Sequence, residues 1–143
     1  MDKSPDVLMQ VGGPVDEVSA VLAVYGMDLE PDDVALDLGI EPTRAHRAGE
    51  TSKSGVVYPH GAFIVERRGV NGQTASVLES LLSELPTNVA VWEKLRSRYS
   101  VQIRLAMHVV GFNQGFGMTS AAIRRIADIG AEIVVDIYAY GDE

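Results

Sequence analysis

The chain has 143 residues, the usual size of one domain, and its 46% hydrophobic content excludes a globally disordered chain. It contains no cysteine, which excludes disulfides, thiolate metal sites and cysteine nucleophiles. The net charge of -8 opposes binding to a nucleic-acid backbone, and no stretch approaches the roughly 20 apolar residues needed to span a bilayer. We expect a cytoplasmic protein that binds neither nucleic acid nor membrane.

The first elements follow a short leader. We expect residues 1–17 to pair at a sheet edge or fray, and residues 18–143 to form a single α/β domain. The apolar run from Val18 to Tyr25 predicts a buried strand. A short helix should follow over Asp32 to Leu38, because Pro31 suits its first turn and Gly39 suits its C-terminal end.

Residues 41–60 have no sustained periodicity and contain several Gly, Pro, Ser and Thr residues. A loop of about 20 residues is uncommon inside a compact domain and often has a function. The alternating residues Gly61 to Arg67 predict the second strand.

Two helices are predicted next, on either side of Pro86, which a helix interior does not tolerate. The alternation from Val101 to Val110 gives the clearest strand of the chain. A glycine-rich turn at 111–117 leads to a helix whose inward residues we expect to be Ile123, Ile126 and Ala127. Glu132 to Tyr140 is the last predicted strand.

The order of elements is β-α-β, then two helices, then β-α-β. This order predicts an α+β protein: a ferredoxin-like α/β sandwich of two βαβ units with a helical hairpin inserted between them. The sheet should be four-stranded and largely antiparallel. A three-layer α/β fold with some parallel pairing is the alternative.

No catalytic motif is present. The three histidines, His46, His60 and His108, are far apart, and no HExxH pair or G-x-S-x-G elbow exists. The glycine run 111–117 matches neither the dinucleotide fingerprint nor a Walker loop. Asp136 is expected to share the outer sheet face with Arg104 and His108. We assign no catalytic residue, no metal ligand and no cofactor.

The loop at 41–60 contains the densest polar cluster of the chain: Thr43, Arg44, His46, Arg47 and Glu50. Two guanidinium groups and an imidazole suit a carboxylate or phosphate, because arginine offers a bidentate fork. The competing interpretation is a solvated loop whose arginines pair with nearby acids. Two further candidates for binding, Asn113 and Gln114, lie in the glycine-rich turn.

The same loop carries a family resemblance. Residues 38–50 read LGIEPTRAHRAGE. This stretch resembles the leucine-glycine-x-x-proline-threonine and arginine-x-glycine-acid motif of a bacterial family called domain of unknown function 4279. The resemblance covers nearly the whole chain after Val18. Family members often have Gly-x-Trp on the second strand, where this chain has Gly61, Ala62 and Phe63, so any role of an indole N–H is lost.

The family has no assigned activity, so the resemblance supports the domain boundaries more than a function. Small acidic bacterial proteins of this kind are often proposed as immunity-type partners of toxins. We expect a non-enzymatic, immunity-like protein that binds a basic protein through its acidic surface and the loop from Thr43 to His60. The alternatives are a binder or enzyme for an anionic small molecule that uses this loop, and a homodimer that buries the sheet face bearing Arg104 and His108.

Overall fold

The computed structural model describes residues 16–70, 76–110 and 114–140. The elements in these ranges are β1 (Glu17–Gly26), α1 (Pro31–Leu38), β2 (Arg44–His46), β3 (Gly61–Val70), α2 (Val77–Ser83), α3 (Val89–Arg96), β4 (Ser100–Val110), α4 (Ser120–Ile129) and β5 (Glu132–Tyr140). The predicted leader falls almost entirely outside the described residues. None of these helices has the length and apolar character that crossing a membrane requires.

The strands form one sheet in the order β2-β3-β1-β4-β5. β1 lies at the centre and pairs antiparallel with both β3 and β4. β2 pairs antiparallel with the outer side of β3, and β5 pairs parallel with β4. The α+β class is therefore confirmed, with a mixed sheet of five strands.

The finer topology differs from the prediction of a four-stranded ferredoxin-like sandwich. Of the two predicted βαβ units, only that of β4, α4 and β5 forms, whereas β1 and β3 are antiparallel neighbours. The helical pair α2 and α3 connects β3 to β4, which run in the same direction on either side of β1. The fifth strand, β2, arises inside the segment that the sequence predicts as a loop.

Element lengths give a physical reason for this difference. At 1.5 Å per residue, α1 is about 12 Å long, whereas β1 extends about 33 Å. A helix this short, reached through a turn of only four residues (27–30), does not return the chain along the sheet. The chain instead runs back as an antiparallel neighbour. Nine residues (111–119) separate β4 from α4, and this longer connection permits the parallel crossover to β5.

The helices cover one face of the sheet and leave the other open. Alternate residues of the three central strands point into the helix-side core, and the sequence predicts this alternation for β3 and β4. The strand residues of this core include Val18, Leu22, Phe63, Val65, Ile103 and Leu105. The indole of Trp92, which is fully buried, donates a 2.8 Å hydrogen bond to the carbonyl of Pro86. Phe63 also occupies this core and is fully buried.

One glycine is required by close packing. A Cβ atom on Gly26, at the end of β1, would lie 2.5 Å from the ring of Tyr99. Helix α4 differs from the prediction in its buried face, which consists of Ala122, Ile126 and Ile129. Ile123 is 50% exposed and Ala127 is exposed, so the predicted stripe is rotated. The helix layer ends near α4, so no further helix of the described ranges covers the flank of α4 on which Ile123 lies.

Candidate functional site

A groove of ≈ 610 Å³ lies between α1 and residues 39–50, which include β2. We call it the α1 groove. Its lining consists of Pro31, Asp32, Ala35, Leu36, Gly39, Ile40, Glu41, Pro42, Ala45, His46, Arg47 and Glu50. Most of these residues belong to the motif at 38–50, so the stretch that carries the family resemblance also forms the groove.

One wall of the groove is set by the end of α1. Gly39 adopts the left-handed conformation with φ of 68°, and its N–H donates to the carbonyl of Ala35 at 2.8 Å. Such a glycine ends a helix without the penalty that a Cβ atom brings. Thr43 then joins the chain to β3, because its N–H donates to Ile64 at 2.7 Å and its hydroxyl accepts from the N–H of Glu66 at 2.9 Å.

The other wall is held by Arg47. Its Nε lies 2.7 Å from both carboxylate oxygens of Glu30, the residue that precedes α1. Its backbone N–H donates to the carboxylate of Glu50 at 2.8 Å. The hydrogen bond from Arg47 lowers the pKa of Glu30 below its ordinary value. Arg47 therefore links the start of α1 to the segment after β2 and fixes the width of the groove.

Residues 47–58 form a compact hairpin rather than an irregular loop. Gly49 donates to the carbonyl of Tyr58 at 2.9 Å, and Tyr58 donates back to Glu50 at 2.8 Å. Thr51 and Val57 form an isolated antiparallel bridge. The rings of His46 and Tyr58 stack with centroids 3.4 Å apart. This segment is therefore a defined support for the groove.

The α1 groove is acidic at its rim and apolar at its floor. Residues 28–50 contain seven carboxylates and two guanidinium groups, a net charge of -5 out of -8 for the whole chain. Ala35, Ile40 and Pro42 are partly exposed on the floor. Leu36 is 82% exposed, although it lies in the middle of a helix. The arrangement matches a cationic segment that carries an apolar side chain.

The structure separates the predicted binding residues of the loop. Arg44 pairs in register with Ile64 on the open face, and its guanidinium donates to Glu66 at 2.7 Å. Arg47 instead reaches Glu30 on the helix side. The two guanidinium groups thus lie on opposite sides of β2, where each has a carboxylate partner. This geometry does not assemble one anion site from Arg44, His46 and Arg47.

The second pair of candidates lies elsewhere. Asn113 is outside the described residues. Gln114 accepts from the N–H of Val110 at 3.1 Å and donates to Asp16 at 3.4 Å. Asp16 lies beside the start of β1, whereas β2 lies at the level of the other end of β1. The distance along the strand is on the order of 30 Å, so Gln114 does not reach the loop at 43–50.

The open face contains a second depression, of ≈ 470 Å³, across the strands. As expected, Arg104 and Asp136 share this face, with a 2.9 Å contact between guanidinium and carboxylate. His108 stacks on Tyr138, with ring centroids 5.0 Å apart. A hydrogen bond from Arg44 lowers the pKa of Glu66 at the other side of the face. The cations that line this depression are paired with carboxylates.

Two properties of these regions bear on metal and acid–base chemistry. Across the described part of the chain, no group of three or more histidine or acidic residues is arranged to hold a metal ion. A carboxyl group that serves as a general acid near neutral pH has a raised pKa. The carboxyl groups with shifted pKa values in the described ranges, those of Glu30, Glu66 and Glu84, are all lowered by arginine partners.

Sequence reasoning overlooked Leu36 as an exposed apolar residue of the α1 groove. Leu36 breaks the helical stripe formed by the buried Val34 and Leu38, and this misplaced apolar residue was a signal available from spacing alone. The pairing of Glu30 with Arg47 had no such signal, because 17 residues separate them and many other acids lie nearer in sequence.

Comparison with known proteins agrees with the resemblance seen in the sequence. The sequence model of the family described as "Domain of unknown function (DUF4279)" matches residues 16–140. Neither a curated protein nor a solved structure matches the chain. Because the family match spans most of its length, the chain belongs to the DUF4279 family.

Proposed function

We propose that this DUF4279 protein is a non-enzymatic binding module whose α1 groove holds a basic segment of a partner protein. The observation that carries the proposal is the combination of the acidic rim with the 82% exposed Leu36. Isolated exposed apolar residues are ordinary. One that lies beside a partly apolar groove, however, offers a contact for an apolar side chain of the partner, and the charged rim can orient that partner.

Electrostatics favours a basic partner. The side chain of Asp32 is 91% exposed at the rim, and Asp33 is exposed beside it. Clustered charges of one sign accelerate the approach of a partner of the opposite sign, and this acceleration weakens as salt rises. Arg47 supplies a cation inside the groove, but Glu30 and Glu50 offset it.

The alternative function, an anionic small-molecule binder, has weaker support. It needs Arg44 and Arg47 to act on one ligand, and they lie on opposite sides of β2. An anion in the α1 groove would also approach Asp32, Glu41 and Glu50, all of which are exposed. The groove favours a cationic ligand.

The cellular role is part of the same proposal. A small acidic protein without cysteine suits the reducing cytoplasm of a bacterium. An immunity-like role, in which the partner is a basic toxin, fits a groove with this charge. This assignment rests on analogy with other small acidic bacterial proteins.

The test uses short synthetic peptides in which one leucine or phenylalanine is flanked by lysine and arginine. The matched controls have the same apolar residue flanked by glutamate. We expect the basic peptides to shift the amide NMR signals of Ala35, Leu36 and Ile40, and the acidic peptides to leave them unchanged. Signals that shift only on the open face, or with the acidic peptides, would contradict the proposal.

Variants separate the two contributions. Asp32→Asn combined with Asp33→Asn should slow association several-fold and flatten its salt dependence, because it removes two rim charges. The control, Glu93→Gln with Asp128→Asn, removes two exposed charges from other helices and should leave the rate nearly unchanged. Leu36→Ser should instead accelerate dissociation, since an apolar contact acts mainly on the off-rate.

A further inference from the structure

Strand β5 forms a sheet edge whose apolar residues are not covered by the helices. Three of its residues lie on the helix side, because they pair in register with core residues of β4. The paired positions are Ile133 with Ile103, Val135 with Leu105 and Ile137 with Met107. The β4 residues are 0%, 0% and 9% exposed, whereas their β5 partners are 41%, 46% and 64% exposed. The apolar face of the sheet therefore extends one strand beyond the helix layer.

In the described part of the chain, little besides the carboxylates of Glu132 and Asp136 protects the β5 edge against further strand pairing. Within the described ranges, no strand pairs with its outer side. The strand is nine residues long and contains no proline, glycine, lysine or arginine. Natural proteins commonly protect a long edge with lysine, proline or a bulge, because its free N–H and C=O groups accept another strand. This edge is suited to receive one.

We propose that a second copy of the chain covers this edge. The two β5 strands pair antiparallel about a two-fold axis through Val135, and five strands from each copy form one continuous sheet. In this arrangement the open faces of both copies stay on the same side. It therefore differs from a dimer that buries the face bearing Arg104 and His108. The proposal is independent of the function assigned to the α1 groove.

The sequence of β5 is complementary to itself in this register. With Val135 on the axis, each Ile133 lies opposite Ile137 of the other copy, and the two Val135 residues lie opposite each other. Apolar pairs of this kind stabilise antiparallel strands. On the open face, Glu132 lies opposite Tyr138, where the hydroxyl of the tyrosine is a donor for the carboxylate.

The neighbouring registers are less favourable. With the axis at Val134, Glu132 lies opposite Asp136 twice, and with the axis at Asp136 the two Asp136 residues face each other. Like charges directly opposite destabilise a strand pair. A shift by a single residue instead places the apolar side chains of one copy on the open face of the other. The register with Val135 on the axis avoids both costs.

Helix α4 adds to the same apolar surface. Arg125 donates to the carbonyls of Leu82 and Leu85, so this side of α4 faces α2. Ile123 lies two positions away, about 200° around the helix, and is 50% exposed. One isoleucine from each copy therefore borders the strip formed by the β5 residues, on the flank of α4 that faces away from the other helices.

The first experiment measures the mass of the full chain in solution by sedimentation over a range of concentrations. We expect a reversible dimer with a dissociation constant on the order of 10 μM, as for a small interface. Val135→Lys should raise that constant at least about 100-fold, because it places two ammonium groups opposite each other. The control is Val56→Lys, at a valine that is 60% exposed on the distant hairpin, and it should dimerise as the parent does.

A second experiment tests the register without depending on a lysine variant that folds. The chain has no cysteine, so single cysteines can be introduced without background. Val135→Cys places two thiols opposite each other, with Cβ atoms about 4.5–5.5 Å apart, and should form a disulfide-linked dimer on mild oxidation. Ile137→Cys places its two thiols about 13 Å apart along the strands and should not.

Three results would overturn the proposal. They are a monomer at concentrations on the order of 100 μM, a dimer that Val135→Lys leaves intact, and equal cross-linking of the cysteines at 135, 137 and 56. The peptide experiments on the α1 groove read out at the opposite edge of the sheet, so their failure and the failure of this proposal are distinguishable.

Discussion

The β2 edge of the sheet is three residues long and carries Arg44 and His46, whereas the β5 edge is nine residues long and carries no basic residue. The β2 edge is also bound to its surroundings, since Arg44 contacts Glu66 on β3 and the following Arg47 contacts Glu30. The two edges therefore differ in length and chemistry. The β2 edge is short, basic and joined to the walls of the α1 groove, whereas the longer β5 edge has exposed apolar side chains.

The largest effect is expected from tight packing at the β2 side. A Cβ atom on Gly61 would lie 3.0 Å from the Cβ of Leu29 and 3.2 Å from the carbonyl oxygen of His46. Gly61→Ala should therefore reduce the free energy of unfolding by about 1–3 kcal/mol, measured by urea denaturation. Gly117→Ala is the matched control, because a Cβ there meets nothing within 4 Å. Equal effects of the two variants would show that β2 is as loosely held as an open edge.

A smaller effect is expected from pH. The pKa of Glu66 is lowered from its ordinary value of 4.5 by the hydrogen bond from Arg44, so its carboxylate stabilises the fold at higher pH. That contribution is present above pH 4.5 and is lost as the pH falls through the lowered pKa. Arg44→Ala should reduce this acid dependence of the unfolding free energy by at most about 1 kcal/mol, because the pair is partly exposed.

The measurement compares denaturation curves of the parent and of Arg44→Ala at neutral pH and below pH 4.5. Arg124→Ala, at an exposed position on α4, is the control and should keep the acid dependence of the parent. An Arg44→Ala variant that loses stability equally at both pH values would contradict the assignment of this ion pair to the β2 edge.

The smallest effect concerns binding at the same edge. Arg47→Ala removes the only cation that lines the α1 groove in the described structure, so the groove becomes more negative. We expect a basic peptide to associate up to several-fold faster, as measured by stopped-flow fluorescence. An anionic ligand would respond in the opposite direction. Slower association of the basic peptide would mean that Arg47 contacts the ligand or that the groove has lost its shape.

The sequence predicted four strands of the described sheet, including the β5 edge with the bounds that the structure has, but it missed β2. A continuous apolar run marks β1, and an alternating pattern marks β4. The structure has the ends of both strands within a residue or two of the predicted bounds. β2 has three residues and no alternation, so its pairing with β3 depends on contacts such as that of Thr43 with Glu66, 23 residues away. Periodicity does not contain such information.

The candidate site was predictable in part for the same reason. The composition of residues 43–50 indicated a binding cluster, and three of its members, His46, Arg47 and Glu50, line the α1 groove. The sides on which Arg44 and Arg47 fall were not predictable, because the pairing of β2 with β3 decides them. Ile123 was expected to point inward, since spacing along a helix indicates an apolar face but not where the neighbouring layer ends.

The central position of β1 has a consequence for how the chain folds during its synthesis. β1 leaves the ribosome first, yet its partner β3 begins 35 residues after β1 ends, and Glu17 pairs with His108. Domains generally fold as units, and pairings between distant segments form slowly. Until β4 has emerged, one side of an apolar central strand is without its partner. The nascent chain therefore completes its core late, and its apolar central strand stays accessible to other proteins until β4 has emerged from the ribosome.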